Sequence, residues 1–77
     1  MGGISERSRI SVKIVGDIGK KKKLMKILDK AKVRFTHIST EPDEDGNEFY
    51  HVEFTMNERK FWKIRKKIDL LGNLTID

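Results

Sequence analysis

The chain has 77 residues, of which 36% are apolar and 38% are charged, so it has room for one soluble domain with a modest core. It contains no cysteine, which excludes disulfide bonds, thiolate nucleophiles and zinc sites built from thiolates. No signal-peptide pattern precedes the first predicted strand, and no apolar run reaches the length of about 18 residues that a membrane span needs. We therefore expect a cytoplasmic protein.

Charge is distributed unevenly along the chain. The formal net charge is +5, but residues 1–41 carry +7, residues 42–56 carry −5 and residues 57–77 carry +3. The acidic residues are thus concentrated in one predicted connection and its flanking strand. The basic residues lie mainly on two predicted helices.

The first half of the chain is predicted to form a strand and a helix. Apolar and polar residues alternate from Ile10 until Gly16, as in a strand with one buried face. Asp17 is predicted to cap the following helix, and Gly19 to let the chain bend tightly before it. The buried stripe of that helix recurs at helical spacing: Leu24, Ile27, Leu28 and Ala31.

A hairpin is predicted next. Val33 and Phe35 share a face, but Ile38 follows after three residues, which predicts a β-bulge near Thr36–His37. Asp45-Gly46 lies among other turn-forming residues and predicts the hairpin turn. The next strand is expected to direct three residues toward the core: Tyr50, Val52 and Phe54.

A second helix and a short last strand complete the pattern. Thr55 or Asn57 is predicted to cap this helix, and Gly72 to end it as a left-handed residue. Its buried stripe is predicted to be Phe61, Ile64, Ile68 and Leu71, and the last strand contains Leu74 and Ile76.

The predicted order of elements is β-α-β-β-α-β. With one layer of sheet and one layer of helices, this order gives an α+β, ferredoxin-like sandwich. Its four-stranded antiparallel sheet has the strand order 4-1-3-2, and right-handed crossovers place both helices on one face. We assign residues 9–77 to this single domain and residues 1–8, which lack periodicity, to a disordered lead-in.

The chain resembles the ACT domain, a small ligand-binding and dimerising module with the same topology. In that family a strand runs into a loop that ends in glycine, here Gly19, and apolar residues follow at fixed offsets. The matching positions are Leu24, Ile27, Leu28, Ala31, Val33, Phe35 and Ile38. Residues 49–54 and 70–74 also fit the third strand and the closing turn of the family, so the resemblance covers about residues 9–77.

The sequence departs from the family pattern at three positions. Ile18 stands where proline is common, Lys21 where an apolar residue usually packs, and Lys32 where glycine is frequent. The pattern consists mainly of core positions, so it bears more on the fold than on the function. ACT-like domains also occur without a ligand, as cytoplasmic tails of membrane transport proteins.

The resemblance implies a ligand site in the loop between the first strand and the first helix, at the interface of a dimer. The residues of this loop are Gly16, Asp17, Ile18 and Gly19. Backbone N–H groups at the start of a helix can bind a carboxylate, such as that of an amino acid, and two glycines permit close approach. The alternative is an ordinary strand-to-helix turn capped by Asp17.

The remaining candidates have simpler explanations. His37 and His51 lie on adjacent strands and would form a metal pair only if Glu53 joined them, so we interpret them as polar surface residues and assign no metal or cofactor. Phe49 suggests a base-stacking sheet, but the neighbouring residues do not match such a motif. The lysines of the two helices are either solvated surface or a binding face for nucleic acid or an anionic membrane.

The sequence therefore predicts a non-catalytic regulatory or sensory domain. It is expected to bind a small ligand, such as an amino acid, and to form a homodimer. It offers no catalytic residues, because no nucleophile and base, phosphate-binding loop or buried carboxylate pair is present. Two alternatives stay open. One is an interaction domain that binds protein or nucleic acid through its basic helical face, and the other is a soluble domain excised from a larger protein.

Overall fold

The computed structural model describes residues 8–76. Its elements follow in the order β1 (Arg9–Asp17), a 3-10 turn (Ile18–Lys20), α1 (Lys21–Lys30), β2 (Arg34–Pro42), β3 (Glu48–Asn57), α2 (Glu58–Asp69) and β4 (Asn73–Ile76). The predicted lead-in over residues 1–8 lies, except for Ser8, outside the described residues.

The four strands form one antiparallel sheet with the order β2-β3-β1-β4. This is the predicted order 4-1-3-2 counted from the other edge, so the ferredoxin-like architecture is confirmed. Central strand β1 pairs with β3 on one side and with β4 on the other, and Ile14 lies opposite both Val52 and Leu74. The hairpin thus inserts β3 between β1 and β2, while β2 and β4 form the edges.

The core lies between the sheet and the two helices. Ten apolar residues are buried: Val12, Ile14, Leu24, Leu28, Tyr50, Val52, Phe54, Met56, Phe61 and Ile68. The alternating burial of β3 agrees with the sequence prediction. Half of the predicted helix stripes are buried, whereas four positions are half-buried against the core: Ile27, Ala31, Ile64 and Leu71. Met56 is also buried, because β3 continues to Asn57 and its alternation carries Met56 into the core.

The hairpin contains the predicted bulge and turn. Strand pairing shifts between Phe35 and His37, so Thr36 is the extra residue. The turn places Gly46 at a φ of 86°, and Asp43 Oδ1 accepts hydrogen bonds of 2.9 Å from the backbone N–H groups of Asp45 and Asn47. β2 continues to Pro42, beyond the predicted end at Ile38, because the turn begins only at residue 43.

The helix ends correct two predictions. Asn57 caps α2 as predicted, since its side chain accepts from the N–H groups of Arg59 and Lys60. Asp17 makes no capping hydrogen bond with its side chain, because a 3-10 turn separates it from α1. Gly72 is not left-handed either; among residues 8–76, positive φ angles occur only at Gly46 and Lys32.

The end of α1 explains the positive φ of Lys32. The N–H of Lys32 donates to the carbonyl of Asp29 at 3.1 Å, and the N–H of Val33 donates to the carbonyl of Leu28 at 3.3 Å. These two bonds form a Schellman motif, which requires a left-handed residue after the helix cap. Lys32, with a φ of 54°, therefore occupies the position where the ACT pattern favours glycine.

Candidate ligand site at the edge of the sheet

The four residues of the predicted ligand loop, 16–19, lie in different environments. Gly16 lies within β1 opposite Tyr50, so β1 does not end there as predicted. Asp17 and Gly19 are exposed, and Ile18 is half-buried. A Cβ on Gly16 would contact the carbonyl of Leu71 and lie 2.6 Å from the hydroxyl oxygen of Tyr50, so the space beside Gly16 is filled by the protein itself.

Tyr50 connects the end of β1 to the segment that follows α2. Its side chain is fully buried, and its hydroxyl donates a 2.6 Å hydrogen bond to the carbonyl of Leu71. Burial raises the pKa of the Tyr50 phenol to about 12, because the charged form would lose its hydration. The hydroxyl therefore remains a neutral donor at physiological pH and closes the space between Gly16 and Gly72.

An open groove lies next to this loop, between α1 and edge strand β2. Its volume is about 710 Å³, and we call it the edge groove. Of the four predicted loop residues only Ile18 lines it; the other lining residues are Lys21, Lys22, Met25, Lys26, Asp29 and Phe35. Five of these seven come from the side of α1 that faces β2, so the helix contributes more of the site than the loop does.

The edge groove combines an apolar surface with charges of both signs. Ile18, Met25 and Phe35 are half-buried and supply the apolar part. Lys21 is half-buried as well, so its aliphatic stem covers apolar surface while the ammonium group reaches water. Asp29 is the only acidic residue among those that line the groove. Such a groove is complementary to a small zwitterion that carries an apolar side chain.

The edge of the sheet continues this apolar surface. β2 has a neighbouring strand on one side only, so its other side presents unpaired backbone groups. Ile38 lies opposite Val52, on the side of the sheet that faces the helices, yet 42% of its surface is exposed. An exposed apolar residue beside an unpaired strand is suited to contact with a second protein chain.

The other face of the sheet holds the two histidines. The rings of His37 and His51 are adjacent, with centroids 5.6 Å apart, as the hairpin pattern allowed. His51 Nε2 lies 4.0 Å from a carboxylate oxygen of Glu53, whose other oxygen lies 3.9 Å from Lys13 Nζ. Nowhere in residues 8–76 do three acidic or histidine side chains form a cluster able to hold a metal ion. The interpretation of His37 and His51 as polar surface residues stays a prediction.

Comparisons with known proteins bear on the fold. No protein-family model matches the sequence, and no curated protein matches it either. The structure is similar to the C-terminal domain of the MgtC protein from Mycobacterium tuberculosis, with 11% identity, a TM-score of 0.57, and coverage of 90% of this chain and 84% of that one. At this identity the similarity shows a shared fold only.

A formyltetrahydrofolate deformylase from Pseudomonas putida KT2440 has a similar region, with 13% identity and a TM-score of 0.51. The match covers 91% of this chain but 28% of the deformylase. This similarity, too, shows a shared fold only. Within residues 8–76, neither helix has the length and apolar character needed to cross a bilayer.

Proposed function

We propose that the chain is a non-catalytic regulatory domain that binds a small zwitterionic ligand, an amino acid, in the edge groove and acts as a homodimer. The observation that carries this proposal is the groove itself, with lysines and one carboxylate around an apolar surface. The ACT-like fold supports it, because modules of that family bind small ligands at this end of the sheet.

The arrangement of charges assigns a role to each part of the ligand. The ligand carboxylate pairs with the ammonium group of Lys26. The ligand ammonium group pairs with Asp29, three residues further along the helix, so both charges of one small molecule have a partner within one turn. An apolar side chain then packs on Met25 and Phe35, which favours amino acids of medium size with apolar side chains.

A second copy completes the site by pairing along the free edge of β2. Such pairing would satisfy the unpaired backbone groups and cover Ile38. It would also close the open side of the edge groove and so bury a ligand between two subunits. Ligand binding would then stabilise the dimer by mass action, which is how a domain without catalytic groups can transmit a signal.

The domain is suited to a position within a larger protein, which is the second reading of the sequence. Of the two similar structures named above, one is a C-terminal domain and the other matches over 28% of a longer chain. In such a setting, dimerisation of this domain would bring the attached parts of two chains together.

An NMR titration with pooled amino acids tests ligand binding. We expect amide shifts at residues 18–29 and at Phe35 at millimolar concentration or below. Asp29→Asn should weaken binding by at least about tenfold, because the ligand ammonium group loses its partner. Asp69→Asn, which makes the same change near the end of α2, is the matched control and should leave the affinity within about twofold. Absence of shifts at millimolar amino acid would overturn the proposed ligand.

Sedimentation equilibrium tests the dimer separately. We expect twice the chain mass of 9.0 kDa at a few hundred micromolar. Ile38→Lys should give monomers, because a charge replaces an apolar contact at the edge of β2. Ile76→Lys is the control, since Ile76 is 40% exposed on the opposite edge strand. A monomeric wild-type protein at these concentrations would exclude the dimer.

A further inference from the structure

A second recess lies on the other side of α1, where the two helices face each other. Three adjoining depressions of about 640, 460 and 360 Å³ share lining residues and form one trough, which we call the inter-helix groove. Its floor is apolar and contains Ile27, Ala31, Ile64 and Leu71, all half-buried. These side chains belong to the predicted buried stripes and pack against the edge of the core, but each keeps part of its surface exposed.

The walls of the inter-helix groove are strongly basic. Eight lysines line it: Lys20, Lys23, Lys26, Lys30, Lys32, Lys60, Lys63 and Lys67. Asp29 is the only acidic residue among the lining residues. Within residues 8–76 none of the eight lysines forms an ion pair, since the ion pairs present there both involve Glu53. Positive charge is therefore concentrated around the half-buried apolar floor of the groove.

We propose that the inter-helix groove binds an acidic amphipathic helix of a partner protein. The two helices that form it have 10 and 12 residues, so at a rise of about 1.5 Å per residue the trough accommodates about three helical turns. A helix with apolar residues at i, i+3, i+4 and i+7 would place them on the apolar floor. Aspartate and glutamate on its flanks would meet the lysines of both walls.

Other anionic occupants match only part of this groove. A nucleic acid would satisfy the lysines through its phosphates but would bring no apolar group to Ile27 and Ile64. An anionic membrane is a broad surface that contacts protruding side chains and cannot enter a recess between helices. The acidic hairpin turn of a second copy, Asp43–Asn47, contains no apolar residue. The apolar floor therefore favours an amphipathic helix.

The test uses a labelled probe peptide of about 15 residues, with leucines at helical spacing and glutamates elsewhere, in fluorescence anisotropy at 150 mM salt. A second peptide carries serine in place of leucine at unchanged charge. We expect the leucine peptide to bind and the serine peptide to bind at least about tenfold more weakly, because it cannot fill the floor. Equal binding of both peptides would overturn the proposal, since charge alone would then explain it.

Two double variants of α2 provide a matched comparison. Lys60/Lys67→Gln removes two lysines of the groove, whereas Arg59/Lys66→Gln removes two charges at the same spacing that line none of the grooves described above. We expect the first variant to weaken peptide binding at least about tenfold and the second to change it less than about threefold. All four positions are exposed, so we expect each variant to fold. Circular dichroism checks this expectation. Equal losses in the two variants would refute a site in the groove.

Single-stranded RNA and vesicles with anionic lipid complete the experiment. The proposal would be overturned if RNA or the vesicles bound more strongly than the leucine peptide and if both double variants lost this binding equally. The lysines would then form a general electrostatic surface. The test is independent of the amino-acid ligand. Lys60 and Lys67 line the inter-helix groove and not the edge groove, so a loss of peptide binding in Lys60/Lys67→Gln does not depend on amino-acid binding.

Discussion

Removing the hydroxyl of Tyr50 is the sharpest test of the structure. Tyr50→Phe keeps the buried ring but deletes the donor of the 2.6 Å hydrogen bond to the carbonyl of Leu71. The carbonyl then loses its partner in a site that water does not reach from the Tyr50 side, which costs about 1–3 kcal/mol of unfolding free energy. In a domain of this size each 1 kcal/mol lowers the Tm by about 4–8 °C, so the loss is readily measured.

The same substitution should alter the response to alkaline pH. The folded state raises the pKa of Tyr50 to about 12, whereas the unfolded value is 10.0. The unfolded chain therefore gains free energy by releasing this proton above pH 10, so the stabilisation is fully present below pH 10 and is lost as the pH rises toward 12. The loss amounts to at most about 3 kcal/mol. Tyr50→Phe should lack it.

Urea denaturation followed by the fluorescence of Trp62, the single tryptophan, measures both effects. All other residues are the same in the two proteins, so the difference between the wild type and Tyr50→Phe isolates the phenol. The absorbance of the only tyrosine reports its pKa directly. A change below about 0.5 kcal/mol at pH 7, or equal slopes of stability against pH above pH 10, would show that the hydroxyl is neither buried nor bonded as described.

Two further predictions concern backbone positions, and both are measured by urea or thermal unfolding. Lys32→Gly should stabilise the domain by about 1 kcal/mol, because a left-handed φ of 54° is costly for residues with a Cβ; a loss of stability would contradict the Schellman motif at the end of α1. Gly72→Ala should destabilise by more than about 2 kcal/mol, because the added Cβ would lie 2.5 Å from the carbonyl of Val15 and 2.7 Å from the Tyr50 hydroxyl. Gly19→Ala is its control, since the nearest atom lies 3.7 Å away, and a large loss there would be unexpected.

The elements and their order could be predicted because they depend on local periodicity. Alternation along β3, the interval that revealed the bulge at Thr36, and the spacing of Leu24 and Leu28 are all visible within a few residues. Once the order β-α-β-β-α-β was known, connection rules left few topologies, and the strand order followed. The exposed left-handed Lys32 could not be predicted, because lysine has no preference for that conformation.

The glycines show where local signals fail. Gly72 follows the predicted stripe of the second helix, which is typical of a left-handed cap, but it lies three residues after Asp69 and is required for the space beside Tyr50 and Val15. Gly16 is constrained by the same tyrosine, 34 residues away in the chain. Contacts over such separations leave no pattern in the neighbouring sequence. The sequence pattern therefore places Gly16 in a ligand loop and Gly72 at a helix end, and it gives no sign that both lie against Tyr50.

A spacing pattern in the sequence indicates the edge groove. Lys21, Met25 and Asp29 are spaced four residues apart and so lie on one side of α1. That side includes the one position where the chain departs from the apolar ACT pattern, Lys21. A charged residue at a usually packed position indicates that the neighbouring surface is open, and the groove beside Phe35 is the structural consequence.

The position of α1 between two grooves has a consequence for regulation. Leu24 and Leu28 fix the helix on the sheet, while its two flanks line the edge groove and the inter-helix groove. Asp29 borders both grooves and is the acidic residue that would repel an acidic partner. A bound amino acid that pairs its ammonium group with Asp29 removes this repulsion, so each ligand should strengthen the binding of the other. Thermodynamic linkage requires the two factors to be equal, and a coupling that persists in Asp29→Asn would show that the two sites do not communicate through Asp29.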